Sequence, residues 1–498
     1  MNPELALGSV GHGDESDHAS GGITMFGWLA LALGVGLLAF LIFDSLSGPA
    51  HAAPAHSEVH HVPPLWACLP FAGLLLSIAI LPLIPATEHW WEHNVNRLCV
   101  ALSFSAMTLA YYVWADGMGS VITVLQHGIL AEYIPFIMLL FSLYVISGGI
   151  SLRGDLAAHP GTNCAFLGVG ALLASFIGTT GASMLLIRPL LQTNSERRHV
   201  RHTVIFFIFL VSNIGGCLLP IGDPPLFLGF LKGVPFLWTL GLWAPWAMTC
   251  AVVLVIYYFW DCRAYAKETK ADIRADETQR TRLTLKGGSN LLWLMGVVLS
   301  VALIKPGEEF LGTGFVAFPY MRELFMLGFT VLSLRTTPSG LRESNKFNYH
   351  AILEVAALFL GIFICMQVPI AILKASGADL PLTSPDHFFW ATGGLSAVLD
   401  NAPTYMVFFT TAEAMTDPGG SGLVELGGGR FIRNDLLVAI SLGAVFMGAL
   451  SYIGNGPNFM VKSIAEQSGI KMPSFFGYVG YSVCILLPVF LLVSWLFV

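Results

Sequence analysis

The chain reads as an all-α polytopic membrane protein built from two inverted repeats, with about eleven transmembrane helices. Three observations carry that reading. Of its 498 residues, 55% are hydrophobic and only 11% are charged, where soluble domains carry about 25% charged residues. Apolar runs of about 20 residues, the length that spans a bilayer, recur along the whole chain. Third, a Gly/Pro-rich motif occurs twice, each time inside an apolar run that ought to be an unbroken helix.

The candidate spans are roughly 24–46, 64–86, 98–115, 132–152, 204–232, 236–260, 291–304, 321–336, 350–372, 434–465 and 475–498. Orientation follows from the distribution of Lys and Arg. Sixteen of these residues fall in one set of loops, seven of them in 261–290, with Arg197, Arg198 and Arg201 in "SERRHVRH". The opposite loops hold four: Lys305, Lys374, Arg430 and Arg433. The first set is therefore assigned to the cytoplasm. The assignment closes only if two further apolar stretches, 163–190 and 387–414, each enter and leave on the same side.

The amino terminus is read less simply. Residues 1–63 hold an acidic tail and a first hydrophobic helix, and "GPAHAAPAHS" (48–57) resembles a signal-peptidase site. A retained helix is favoured over a cleaved signal, because no positive segment precedes it. The histidines His12, His18, His51, His56, His60 and His61 show no strict ligand spacing and read as a solvated tail. The eight cysteines form no CxxC pair and read as small core residues. No nucleotide loop and no basic nucleic-acid surface occur in the sequence, so the expected partners are the bilayer and small ions, with no nucleic acid. No cofactor is expected.

The repeated motif is "IGDPPLF" (Ile221–Phe227) and "IGNGPNF" (Ile453–Phe459). Ile, Gly, Pro and Phe agree at matching places, and Asp223 faces Asn455. Serines Ser212 and Ser451 precede the two motifs. Each break follows one of the two odd stretches, so 64–260 (hairpin 163–190, broken helix 204–232) repeats 291–498 (hairpin 387–414, broken helix 434–465), joined by a cytoplasmic linker at 261–290. Inverted repeats with broken helices at corresponding places point to a transport site near the bilayer midplane. The odd stretches, "FIGTTGASMLLIRPLL" and "GGLSAVLDNAPTYMVFF", read as re-entrant hairpins with free backbone groups at their tips.

Ionisable residues inside the membrane mark function. Asp400 lies at the second tip, four residues after Ser396, which on one helix would share its face; Asn401 and Thr404 follow. Asp223 lies in the first break, where an N-cap before Pro224 is the competing reading. Thr179, Thr180, Ser212, Asn213, Asn455 and Asn458 supply neutral groups that line the site. A carboxylate that alternates between a proton and a metal cation is a device for exchange, which places Na⁺ at Asp400 and Asp223. Arg188 closes the first hairpin and reads as an orientation anchor. Glu354 reads as an interfacial carboxylate.

On "SAVLDNAPT" (Ser396–Thr404), "SNIGG…PIGDPP" and "SYIGNGPN" the chain resembles the ion transporter superfamily, above all the NhaD-type sodium/proton antiporters and the related CitMHS-like citrate transporters. The resemblance covers most of residues 64–498. It implies functional roles for Ser396, Asp400, Asn401 and Thr404, two subunits each with a scaffold and a moving domain, and the inner membrane of a bacterium. The departure is "GTTGAS" (Gly178–Ser183), where NhaD-type proteins resemble one another in carrying an Asp-Asn pair. The expected activity is Na⁺/H⁺ antiport without enzymatic chemistry. The alternative is Na⁺- or H⁺-coupled citrate or dicarboxylate symport. A channel lacks repeated filter loops, and an acid-pair enzyme lacks a nucleophile or metal triad.

The topology is testable with single cysteines, Leu191→Cys and Thr416→Cys, in a cysteine-free background. An impermeant thiol reagent added outside the cell is expected to label the second alone; labelling of both removes the inverted arrangement.

Overall fold

The computed structural model describes residues 62–498 apart from 279–280, 311 and 378–379. The first apolar run, the signal-like segment and the tail histidines lie outside the described residues. The chain is mostly helical, with two short antiparallel strand pairs, β1 (Ser151–Asp155) with β2 (Thr281–Lys286) and β3 (Leu423–Gly427) with β4 (Arg430–Arg433).

Seven helices among the described residues are long and apolar enough to cross a membrane: Leu65–Leu83, Asn94–Asp116, Met118–Ser147, Pro160–Ile177, Trp238–Tyr265, His350–Ser376 and Phe475–Phe497. Three shorter apolar helices, Arg201–Cys217, Ser289–Leu303 and Asn434–Leu450, complete the apolar set. Of the eleven expected spans, 24–46 lies outside the described residues, 321–336 is a 16-residue helix in neither set, and the first hairpin arm, not expected as a span, has the length and hydropathy of one. The protein is a multi-pass membrane protein.

The long helices expose apolar side chains on one flank, including Leu69, Leu76, Met107, Val255, Phe259, Leu491 and Trp495. In water such a belt is an aggregation surface; against lipid chains it is the solvated face. The broken helices are different. Every residue from His202 to Asp223 is buried, as is every residue from Ala439 to Tyr452. They form the centre around which the other helices stand.

The two odd stretches are helical hairpins. Pro160–Ile177 turns at Gly178 into Thr179–Thr193. Gly178 sits at φ +77, which is strained for a residue with a Cβ, and its conformation reverses the chain in one residue. Pro385–Ser396 returns as Asn401–Ala414. The arm Pro160–Ile177 alone has the length and hydropathy of a span.

Breaking a buried helix frees backbone groups, and each break satisfies them with side chains. In the first, Ser175 Oγ donates to Gly215 O at 2.5 Å and accepts from Leu218 N, while Thr239 Oγ1 donates to Leu218 O. In the second, Ser396 Oγ donates to Ala444 O at 2.7 Å, Tyr478 OH to Ala449 O, and Ser482 Oγ to Leu450 O. In the register set by Ile221 and Ile453, Leu218 corresponds to Leu450, and both carbonyls take a hydroxyl from a neighbouring helix. Gly216 and Gly222 meet backbone to backbone, as do Gly448 and Gly454, where a Cβ on Gly454 would lie 2.6 Å from Gly448 O. Glycine is required at these crossings because any side chain would push the two strands of backbone apart. In that register Ser212 corresponds to Ala444, so Ser212 and Ser451 are not equivalent positions.

The stretch 261–290, expected as a linker, is organised. It holds a helix, Lys270–Thr278, and strand β2, which pairs with the segment leading into the first hairpin. A buried ionic cluster anchors its start. Arg197 forms two hydrogen bonds to Asp261, at 2.6 and 3.1 Å, and a third to Ala158 O. His202 Nε2 and Asn163 Nδ2 complete the Asp261 shell at 2.9 and 3.3 Å. This cluster ties both feet of the first hairpin to the end of Trp243–Tyr265.

Removing one partner of a buried ion pair strands the other charge and costs about 3–5 kcal/mol. Arg197→Gln is therefore expected to lower the thermal midpoint of the detergent-solubilised protein markedly. Combining it with Asp261→Asn is expected to recover part of the loss; a midpoint unchanged in Arg197→Gln contradicts this role.

Candidate functional site: a buried carboxylate where both hairpins and both breaks meet

Asp223 follows the first break and precedes Pro224, the geometry of an N-cap, yet its side chain makes no capping hydrogen bond. It is 1% exposed, and its oxygens point across the molecule. Thr179 Oγ1 at the first hairpin tip donates to Oδ1 at 3.0 Å. Asn455 Nδ2 from the second break donates to the same oxygen at 3.0 Å. Asn401 Nδ2, at the start of the second hairpin's returning arm, donates to Oδ2 at 2.7 Å. One carboxylate therefore joins four segments that are up to 276 residues apart in sequence.

All three donors are neutral. Among the described residues, no Lys, Arg or His forms an ion pair or hydrogen bond with Asp223. An ionised group so placed carries a large desolvation cost, which neutral donors offset only in part. Such a carboxylate is prepared to take up a proton or a cation.

The surrounding shell extends the network. Thr179 N donates to Gly222 O at 2.8 Å, which fixes the hairpin tip on the break. Asn455 Nδ2 also donates to Ser212 O at 3.0 Å, and Ser212 Oγ pairs with Ser183 Oγ at 2.9 Å. Asn213 Nδ2 donates to Asn458 Oδ1 at 2.7 Å, and Asn458 Nδ2 donates to Gly448 O and Ser451 O. Two buried oxygens in this shell, Asn213 Oδ1 and Asn401 Oδ1, have no hydrogen-bond partner. A methyl group on Gly448 would meet Asn213 Oδ1 at 3.1 Å and Asn401 Nδ2 at 3.7 Å, so both amides border the same space. Buried unpaired carbonyl oxygens are costly and mark a place for a donor or a cation.

Asp400 takes a different place from the one its spacing suggested. The helix Pro385–Ser396 ends at Ser396, and Asp400 caps the next helix, accepting from Ala402 N at 3.2 Å. The two residues are not on one helical face, because the chain turns between them, and Ser396 Oγ is committed to Ala444 O. Thr404 Oγ1 bonds back to Asp400 O within its own helix. Asp400 is half-buried. Both acids were expected as ion sites with a cap as the competing reading; Asp400 makes a capping contact, and Asp223 makes none and is held by three donors from other segments.

Of the expected ion-site residues Asn401 touches Asp223, and of the expected lining residues Thr179 and Asn455 touch it while Ser212, Asn213 and Asn458 form the next layer. Thr180 makes no hydrogen bond there. Sequence reading passed over Ser175 and Ser183, although both flank the Gly/Thr tip. It also passed over Glu132, which lies in an irregular stretch of Met118–Ser147 and pairs with Lys232 and Gln367. Among the described residues Arg188 has no acidic partner, and Glu354 pairs with Arg97 at 3.0 Å.

Comparison with curated proteins finds no match. Comparison with family models finds one, described as putative citrate transport (CitMHS_2), over residues 60–498. That span contains both hairpins, both breaks and every residue of the site, and the chain belongs to this family of citrate-type transporters.

Proposed function

We propose that the protein is a secondary transporter of citrate-like carboxylates, coupled to a cation that binds at Asp223. The observation that carries this is the buried carboxylate held only by neutral donors from both hairpins and both breaks. Membership of the citrate-transport family supplies the substrate class. The Asp223 carboxylate, together with the unpartnered buried oxygens Asn213 Oδ1 and Asn401 Oδ1 in the surrounding shell, favours Na⁺ as the coupling ion, since hard cations take oxygen ligands. A cation there neutralises the site, which removes the repulsion that a carboxylate substrate would otherwise meet. Inverted repeats with re-entrant hairpins provide the framework for alternating access, and a homodimer at the inner membrane remains part of the proposal.

A second reading, Na⁺/H⁺ antiport without a carboxylate, rests on the same residue. A lone carboxylate without a cationic partner can alternate between Na⁺ and H⁺ unaided. The two readings separate in liposomes. With purified protein, an inward Na⁺ gradient is expected to drive labelled citrate uptake above its equilibrium level. Na⁺-driven proton movement with no carboxylate present, and no citrate uptake under any gradient, selects the antiporter instead.

Asp400 gives an internal control. Asn caps helices nearly as well as Asp, so Asp400→Asn is expected to keep at least half of the citrate uptake at equal protein in the membrane. Loss of coupled uptake in that variant makes Asp400 an ion ligand as well as a cap.

A further inference from the structure

The returning arm of the first hairpin, Thr179–Thr193, begins on Asp223 and ends at a cavity of about 760 Å³. That volume lies in the range of small-molecule sites. Among the described residues, six cationic side chains and no acidic ones line it. Arg197 and Arg198 are already paired, with Asp261 and Asp272. Arg188, Arg201, Lys346 and Lys471 have no ion-pair partner among the described residues. A neighbouring cavity of about 620 Å³ shares Arg188 and Gln192 and adds Arg153 and Arg282, again without an acid.

Basic residues in cytoplasmic loops need no ligand to explain them. Arg188 is another matter. It is half-buried within the hairpin arm, nine residues from Thr179, which is about 13 Å at the ~1.5 Å rise of a helix. It faces both cavities, and among the described residues no carboxylate pairs with it. An unpaired guanidinium fits a carboxylate ligand by paired hydrogen bonds. Arg201, Lys346 and Lys471 add charge that draws a polyanion inward, and Gln192 and Gln467 offer amides to its remaining oxygens.

We propose that this cavity is the cytoplasmic capture site for a free di- or tricarboxylate, with Arg188 holding one carboxylate of it. The inference rests on the reading of the protein as a citrate-type transporter. It separates opposite charges along one helix, with the coupling cation at the start on Asp223 and the polyanion toward the end. An anionic lipid headgroup shares the carboxylate's affinity for cations, and Leu191, Val200, Ile464 and Ile470 give the walls an apolar share, so the test separates the two.

The test uses inside-out membrane vesicles containing the full chain, with labelled citrate added outside and initial rates fitted for KM and kcat. Arg188→Gln is expected to raise the citrate KM at least tenfold with kcat changed less than threefold. Arg188→Lys is expected to fall between it and the wild type. The pair Arg201→Gln/Lys471→Gln, which leaves the hairpin intact, is expected to raise KM about three- to fivefold. An unchanged KM in both Arg188→Gln and the pair, in protein that remains monodisperse, overturns the capture site while wild-type citrate transport stands. A rate lost in Arg188→Gln at unchanged KM, and restored by added anionic phospholipid, assigns the cavity to lipid and overturns it as well. Absence of citrate transport by the wild type defeats the transporter reading first. Calorimetry of citrate binding to the purified wild type and Arg188→Gln then decides the cavity, and no binding to the wild type overturns it.

Discussion

The Asp223 carboxylate and its three neutral donors are the constraint on which the rest of the structure depends. A charge so deeply buried is tolerable only if many groups are held around it, and those groups come from distant parts of the chain. Thr179 reaches it because Gly178 reverses the first hairpin in one residue. Asn455 and Asn401 reach it because the second break and second hairpin close from the other side. The glycine crossings Gly216–Gly222 and Gly448–Gly454 bring the unwound segments close enough for these contacts. The surrounding apolar helices, with one flank turned to lipid, enclose the assembly and exclude water.

That arrangement also explains why the breaks survive in a membrane. The carbonyls of Gly215, Leu218, Ala444, Ala449 and Leu450 take hydroxyls from Ser175, Thr239, Ser396, Tyr478 and Ser482. The hydrogen bonds run between a break and its neighbours, so the breaks and the helices around them are mechanically linked. In a transporter, movement of a hairpin tip would change the shell of Asp223 directly, since Thr179 and Asn401 sit at or next to the two tips.

Much of this was legible in the sequence. The apolar runs located most of the long helices among the described residues, and the paired "IG(D/N)xPxF" motifs located both breaks within a few residues. The elements that escaped did so for physical reasons. Ser396 and Asp400 are four apart, which suggests a shared helical face, but a helix end between them cannot be read from spacing. At Asp223, which precedes a proline, a cap competed with the expected ion site, and the tertiary contacts of Thr179, Asn401 and Asn455 hold the side chain away from the cap. The 261–290 stretch is polar and charged, and its order comes from Asp261 and Glu268 meeting Arg197 and His199, partners more than sixty residues away. The substrate class came from the family match, because carboxylate and cation transporters share the same framework.

The central claim is that Asp223 couples a cation to carboxylate movement. It is tested most directly by comparing two modes of citrate transport in Asp223→Asn. Asn401 Oδ1 is free to accept from the new amide if its side chain turns over, so the fold is expected to hold. Exchange of labelled for unlabelled citrate at equal concentrations needs no net ion movement and is expected to persist. Accumulation of citrate against its gradient, driven by Na⁺, is expected to vanish. An Asp223→Asn protein that still concentrates citrate with wild-type dependence on Na⁺ contradicts the account.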